Sequence, residues 1–177
     1  QCKIEADSET NRLMALIALN SNDYSTARKY VEQAFSQFRD APGLLICDAL
    51  ISYWEAMNSV YPTCDRLGFI CCEKRHFSPT TLQRENLEHA YLQLEKAYHQ
   101  IAIPSQNQLS AQIVWGLAVV STLLPGKDPI RWIEELMSND DMVPSVILFM
   151  SDWGVKIAED VQAEFLSRPI PNKDAGI

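Results

Sequence analysis

The residues with the most chemical potential lie close together, in Cys64-Asp65-Arg66-Leu67-Gly68-Phe69-Ile70-Cys71-Cys72-Glu73-Lys74-Arg75-His76. Three thiols and an imidazole are ligand types that zinc takes in tetrahedral sites. The spacing does not suit it. There is no Cys-x-x-Cys knuckle, and adjacent Cys71 and Cys72 seldom serve one ion. No metal site and no cofactor is therefore expected. A disulfide from Cys64 to Cys71 or Cys72 would close a short loop and pin the segment; reduced thiols are the alternative. The chain has five cysteines, the others being Cys2 and Cys47. A lipidated Cys2 would leave four for two bridges. The chain opens on Gln1. That fits removal of a signal peptide, either before Gln1 or, as in bacterial lipoproteins, at a lipid-modified Cys2.

A nucleophilic cysteine needs a base held beside it. The histidines are His76, His89 and His99. His89 and His99 fall on one helix ten residues apart, too far to pair, and each reads as a surface or half-buried helix residue. The six glycines form neither a Gly-x-Ser-x-Gly elbow nor a phosphate-cradling loop. The carboxylates of Glu134-Glu135, Asp140-Asp141 and Glu159-Asp160 are sequence neighbours, and neighbours on a helix point about 100° apart. The short acidic turn supplies too few oxygens for calcium. No catalytic residue is assigned, and the expectation is that the chain is not an enzyme.

The bulk properties narrow the partners. The net charge is −8 and the pI about 4.8 over 177 residues. Nucleic acid needs clustered Lys and Arg, and an anionic membrane surface also selects basic residues. Apolar residues make up 47% and charged residues 21%, the balance of a globular protein. The longest apolar run, Ile113 to Leu124, is broken by Gly116, Ser121 and Thr122. It falls short of the ~18 residues a membrane span needs.

The elements that position these residues read as helices. Ala27, Val31, Ala34 and Phe35 share the spacing of Ala90, Leu94, Ala97 and Tyr98, with Pro42 and Pro104 downstream. Offsets of four and three place the small and large apolar residues on one helical face. Ala111, Trp115 and Ala118 carry a related spacing. No segment alternates in the strand manner. About seven helices are expected, over 8–20, 24–38, 44–60, 78–101, 105–124, 128–137 and 143–166, with no sheet. In the first, Leu13, Leu16 and Ile17 form the apolar stripe, widened by Met14 and Ala18. Ser8, Ser78 and Asp128 are the expected caps. The chain reads as one all-α domain over 1–177, with a cysteine-rich insertion at about 61–78 and an irregular tail from about 168.

From Ser8 to Pro42 the chain resembles a tetratricopeptide repeat, through Asn22-Asp23-Tyr24-Ser25-Thr26-Ala27 followed by Val31 and Ala34. It departs from that family in having Ala15 where a glycine or small residue is usual and in lacking the early tryptophan. The resemblance implies stacked antiparallel helix hairpins whose first helices line a concave, protein-binding face. Asn11, Tyr53 and Gln112 would line that face, and Arg12 and Glu55 would read a partner's charges. The function it implies is non-catalytic binding of another protein. The expected setting is an exported chain, periplasmic or secreted, with or without a lipid anchor, serving as adaptor or pilot for an envelope assembly such as a secretion or pilus system. Alternatives are an immunity protein neutralising a toxin and a small-ligand-binding component of a transport system.

Overall fold

The structure, a computed structural model, describes residues 2–38, 40–62, 64–70, 77–101 and 108–138, with side chains from residue 7 onward except that of residue 108. Six helices and no strand occur among these residues: α1 (Cys2–Asn20), α2 (Tyr24–Phe35), α3 (Pro42–Met57), α4 (Thr81–Gln100), α5 (Gln108–Leu123) and α6 (Ile130–Met137). The fold is all-α. The helix expected over 143–166, the tail from 168 and the Asp140-Asp141 and Glu159-Asp160 pairs lie outside the described residues. So do Cys71, Cys72, His76 and the side chain of Cys2.

Local chemistry sets the helix ends. Asn22 adopts φ +63° between α1 and α2, a conformation that asparagine tolerates better than most residues. Asp23 then caps α2, its Oδ1 accepting from Thr26 N at 3.0 Å. Three expected caps are corrected. Ser8 sits inside α1, buried, because the helix begins six residues earlier. The cap of α4 is Thr80, two residues beyond Ser78. Thr80 Oγ1 accepts from Gln83 N (3.3 Å) while Gln83 Oε1 accepts from Thr80 N (2.9 Å), so two orphan donors are satisfied reciprocally. Gln83 also donates to Ala56 O at 2.9 Å, tying this cap to the end of α3. At α6 the cap position is Pro129, and Asp128 Oδ1 accepts from Ile130 N at 2.9 Å.

Packing follows the small residues. Ala27, Val31 and Ala34 of α2 are buried, as are Ala90, Leu94 and Ala97 of α4; both alanine patterns are core faces. α1 packs on α2, α3 on α4 and α5 on α6, while α2–α3 and α4–α5 contacts join successive pairs. α1 and α5 also touch α3. With neighbours on so many sides, α3 is buried on nearly every residue from Leu44 to Met57. One hydrophobic cluster runs from Ala15 to Met137 through all of these helices.

The apolar face of α1 differs from the expected one. Ala15, Ala18 and Leu19 face the core. Of the expected stripe, Leu16 is half-buried, whereas Leu13 (47%), Met14 (37%) and Ile17 (61%) are exposed. Two alanines allow α1 close to its neighbours, which turns the bulkier residues outward.

Between α3 and α4, residues 64–70 are clamped rather than loose. Arg66 is 2% exposed. Its Nε donates to Tyr24 Oη (3.1 Å), its Nη1 to Cys64 O (2.8 Å), and its Nη2 to Asn58 Oδ1 (3.1 Å) and Pro62 O (3.2 Å). The guanidinium lies 5.5 Å from the centre of the Trp54 ring. Beyond it, three aromatic side chains take three consecutive carbonyls. Trp54 Nε1 donates to Gly68 O (3.0 Å), Trp115 Nε1 to Phe69 O (2.8 Å), and Tyr53 Oη to Ile70 O. The Phe69 ring is buried against Tyr53 and Gly116. A Cβ at position 116 would meet that ring at 2.8 Å, so α5 needs glycine there. Truncating Arg66 takes the donor away from Tyr24 Oη, Asn58 Oδ1 and several carbonyls at once. Arg66→Ala is expected to lower unfolding stability by about 3 kcal/mol, measured by urea denaturation, with Arg66→Lys recovering only part of the loss.

Candidate functional site: a trough across α1, α3 and α5

A trough of two joined hollows crosses α1, α3 and α5. The first, about 150 Å³, is built by Arg12 and Leu16 of α1, Gly43, Ile46, Cys47 and Leu50 of α3, Leu67 of the insertion, and Leu109 and Gln112 of α5. The second, about 270 Å³, shares Arg12 and Gly43 and continues over Ser8, Glu9, Phe38, Ala41 and Leu44. The floor of the first is apolar, because α3 lies between α1 and α5 and presents Ile46, Cys47 and Leu50 there. The rim is polar. The clamped insertion supplies one wall through Leu67, which is half-exposed.

Of the five residues expected to meet a partner, Arg12 and Gln112 line this trough. Asn11 is half-buried on α1 and is not among the lining residues. Tyr53 is corrected: it is 0% exposed. It lies edge-on to Trp54 and Phe69, its hydroxyl held by the insertion. The aromatic ring filled the core instead of facing the groove. Arg12 and Glu55 are charged but already engaged. Arg12 holds Glu9 bidentately, Nε to Oε2 at 2.8 Å and Nη2 to Oε1 at 2.6 Å. That hydrogen bond lowers Glu9 and raises Arg12 from their ordinary pKa values. Glu55 pairs with Arg28 of α2. Among the described residues Cys64 carries a free, half-buried thiol.

A polar cluster that the sequence reading missed joins α2, α3 and α4. Asp48 is 8% exposed yet carries a charge in the middle of the apolar α3. Its Oδ2 accepts from Gln93 Nε2 (2.9 Å) and lies 2.8 Å from His89 Nε2, while its Oδ1 is 3.8 Å from Arg28 Nη1. An ionised carboxylate only accepts, so the contact requires a proton on Nε2 of His89. Arg28 also donates to Ser52 Oγ at 3.3 Å. Burial acts to lower the Arg28 pKa, but the hydrogen bond to Glu55 and the charges of Glu55, Asp48 and Glu32 outweigh it and leave the pKa raised. Among the described residues, His89 bonds to Asp48, not to a hydroxyl or thiol. The cluster borders a further groove of about 440 Å³ lined by Glu32, Phe35, Ser36, Leu45, Gln93 and Lys96. The available signal was Asp48 itself, a lone carboxylate in the run Leu44-Leu45-Ile46-Cys47-Asp48-Ala49-Leu50-Ile51.

Cys47 is the thiol on the trough floor. Burial pushes its thiol up to about 12, with the Arg12 charge only partly opposing. The thiolate, not the thiol, attacks, so Cys47 is inert near neutral pH. The folded state keeps this proton while the unfolded chain releases it from its ordinary value of 9.0 upward. The unfolded state then binds fewer protons, so stability falls as pH rises between those values, by at most about 1.4 kcal/mol per pH unit. Urea denaturation at steps from about pH 8 to about pH 11 is expected to show a steeper alkaline decline for the wild type than for Cys47→Ala.

Compared with protein-family models, with curated proteins and with solved structures, the chain matches none.

Proposed function

We propose that the chain is a non-catalytic module that binds another protein, and that a segment of that protein lies in the trough across α1, α3 and α5. The observation that carries this reading is the composition of the trough. Three helices and a clamped loop present aliphatic side chains at the floor and Arg12 and Gln112 at the rim, the mix of apolar anchor sites and orienting polar groups that peptide grooves use. In this reading the helix pairs are tetratricopeptide-like hairpins. The chain works in the periplasm or outside the cell, with or without a lipid on Cys2, as an adaptor or pilot for an envelope assembly. A second reading, neutralisation of a basic toxin, is favoured by the net charge of −8, because opposite charge steers association.

Panning a displayed peptide library against the immobilised protein is expected to enrich peptides with an apolar anchor. Their dissociation constants should rise about tenfold, or about 1.4 kcal/mol, in Leu109→Glu and measurably in Gln112→Ala. No enrichment, or affinity indifferent to both changes, would overturn the trough as the site. For the toxin reading, association with one basic partner should slow steeply as salt rises. Export is tested by counting thiols under denaturing, non-reducing conditions: fewer than five supports disulfides, and five free thiols removes that argument.

A further inference from the structure

The outer face of α1 is a second surface, separate from the trough. Leu13, Met14 and Ile17 stand on the side of the helix away from its core residues Ala15, Ala18 and Leu19. Met14 and Ile17 are three residues apart and Leu13 and Ile17 four, the spacing at which side chains form one ridge. A helix apolar on two opposite faces is ordinarily buried on both. Here α2 and α3 occupy one. At the open end of a stack of helix pairs the outward face is ordinarily polar; this one is not.

Two properties select the occupant. The first is size. Three partly exposed side chains offer roughly 300 Å² of apolar surface, well under the ~800 Å² per partner of a stable protein interface. That suits one docked helix better than a second copy of the chain. The second is charge. Asp7, exposed, lies seven residues before Met14 and so near the same stripe, whereas Glu9, four before Leu13, is already held by Arg12. The whole chain carries −8. A second copy would bring like charge to the ridge, whereas a cationic helix would meet opposite charge. We infer that the Leu13–Met14–Ile17 ridge docks a basic amphipathic α-helix of another protein, apolar face to apolar ridge, with Lys or Arg beside Asp7. The inference does not rest on the trough reading.

The test uses the full chain and a fluorescent peptide of leucine, alanine and lysine, its leucines at three-and-four spacing, with a peptide of identical composition and shuffled leucines as control. The double change Leu13→Ser with Ile17→Ser removes only exposed side chains, and an unchanged thermal melt by circular dichroism verifies that it folds. Anisotropy titrations are expected to show saturable binding of the patterned peptide, at least about tenfold weaker for the shuffled peptide and for the double variant. Binding should weaken with salt and with Asp7→Asn. Leu109→Glu in the trough should leave it within about twofold. Equal binding of the two peptides, or a double variant that binds as the wild type does, overturns the inference. So does loss of binding through Leu109→Glu alone, which would place the peptide in the trough. Light scattering that shows a dimer abolished by the double change would assign the ridge to a second copy and also overturn it.

Discussion

A buried guanidinium that meets no carboxylate among the described residues holds this structure together. Taking a cation out of water is costly unless every donor is met. Arg66 meets the cost with a tyrosine hydroxyl, an asparagine side chain, backbone carbonyls and the face of Trp54. Its partners come from the start of α2, the end of α3 and the insertion itself. Asn20, in the last turn of α1, adds an acceptor for Arg66 N at 3.3 Å. Three helix ends are thereby fixed to one loop at one point. Tyr24 extends the arrangement by donating to Trp54 O at 3.3 Å. The loop that would otherwise lie open over α3 becomes part of the core and a wall of the trough.

The polar cluster around Asp48 does similar work on the other side of α3. One carboxylate in an apolar helix is met by a histidine and an amide from α4 and approached by an arginine from α2. Apolar packing alone tolerates sliding between helices of similar face. A charge with fixed partners on both flanking helices sets their register. Arg66 and Asp48 thus specify how the helices meet, and the alanine faces specify how closely.

Much of this was legible in sequence because it is local. The period of alanine and larger apolar residues gave α2 and α4 and their buried faces correctly. Asn22-Asp23 and Pro42 marked helix boundaries near where they occur. The face of α1 was not legible: Ala15, Ala18 and Leu19 make one apolar stripe and Leu13, Leu16 and Ile17 another, and only the neighbouring helices choose between them. Tyr53 was assigned outward because an aromatic on a first helix suits a binding face. Its hydroxyl found a carbonyl 17 residues away, which no periodicity reveals. Asp48 with His89 and Arg28 is likewise a meeting of three helices. Of the residues expected on a concave face, Arg12 and Gln112 line the trough and Asn11, Tyr53 and Glu55 do not. Leu67 and Leu109 were not anticipated, because they depend on where the insertion folds back.

The way that insertion is held has a bearing on how the protein can change over generations. Trp54, Trp115 and Tyr53 grip it by main-chain oxygens, and every residue type has one. Of residues 64–70, Arg66 and Phe69 are buried and Cys64 and Ile70 pack against the core, whereas Asp65 and Leu67 are exposed, held in their path but not in their identity. Leu67 projects from this anchored backbone into the trough, so its replacement alters the wall without releasing the loop. A scaffold of this kind can acquire a new binding preference one side chain at a time while its folding instructions stay elsewhere.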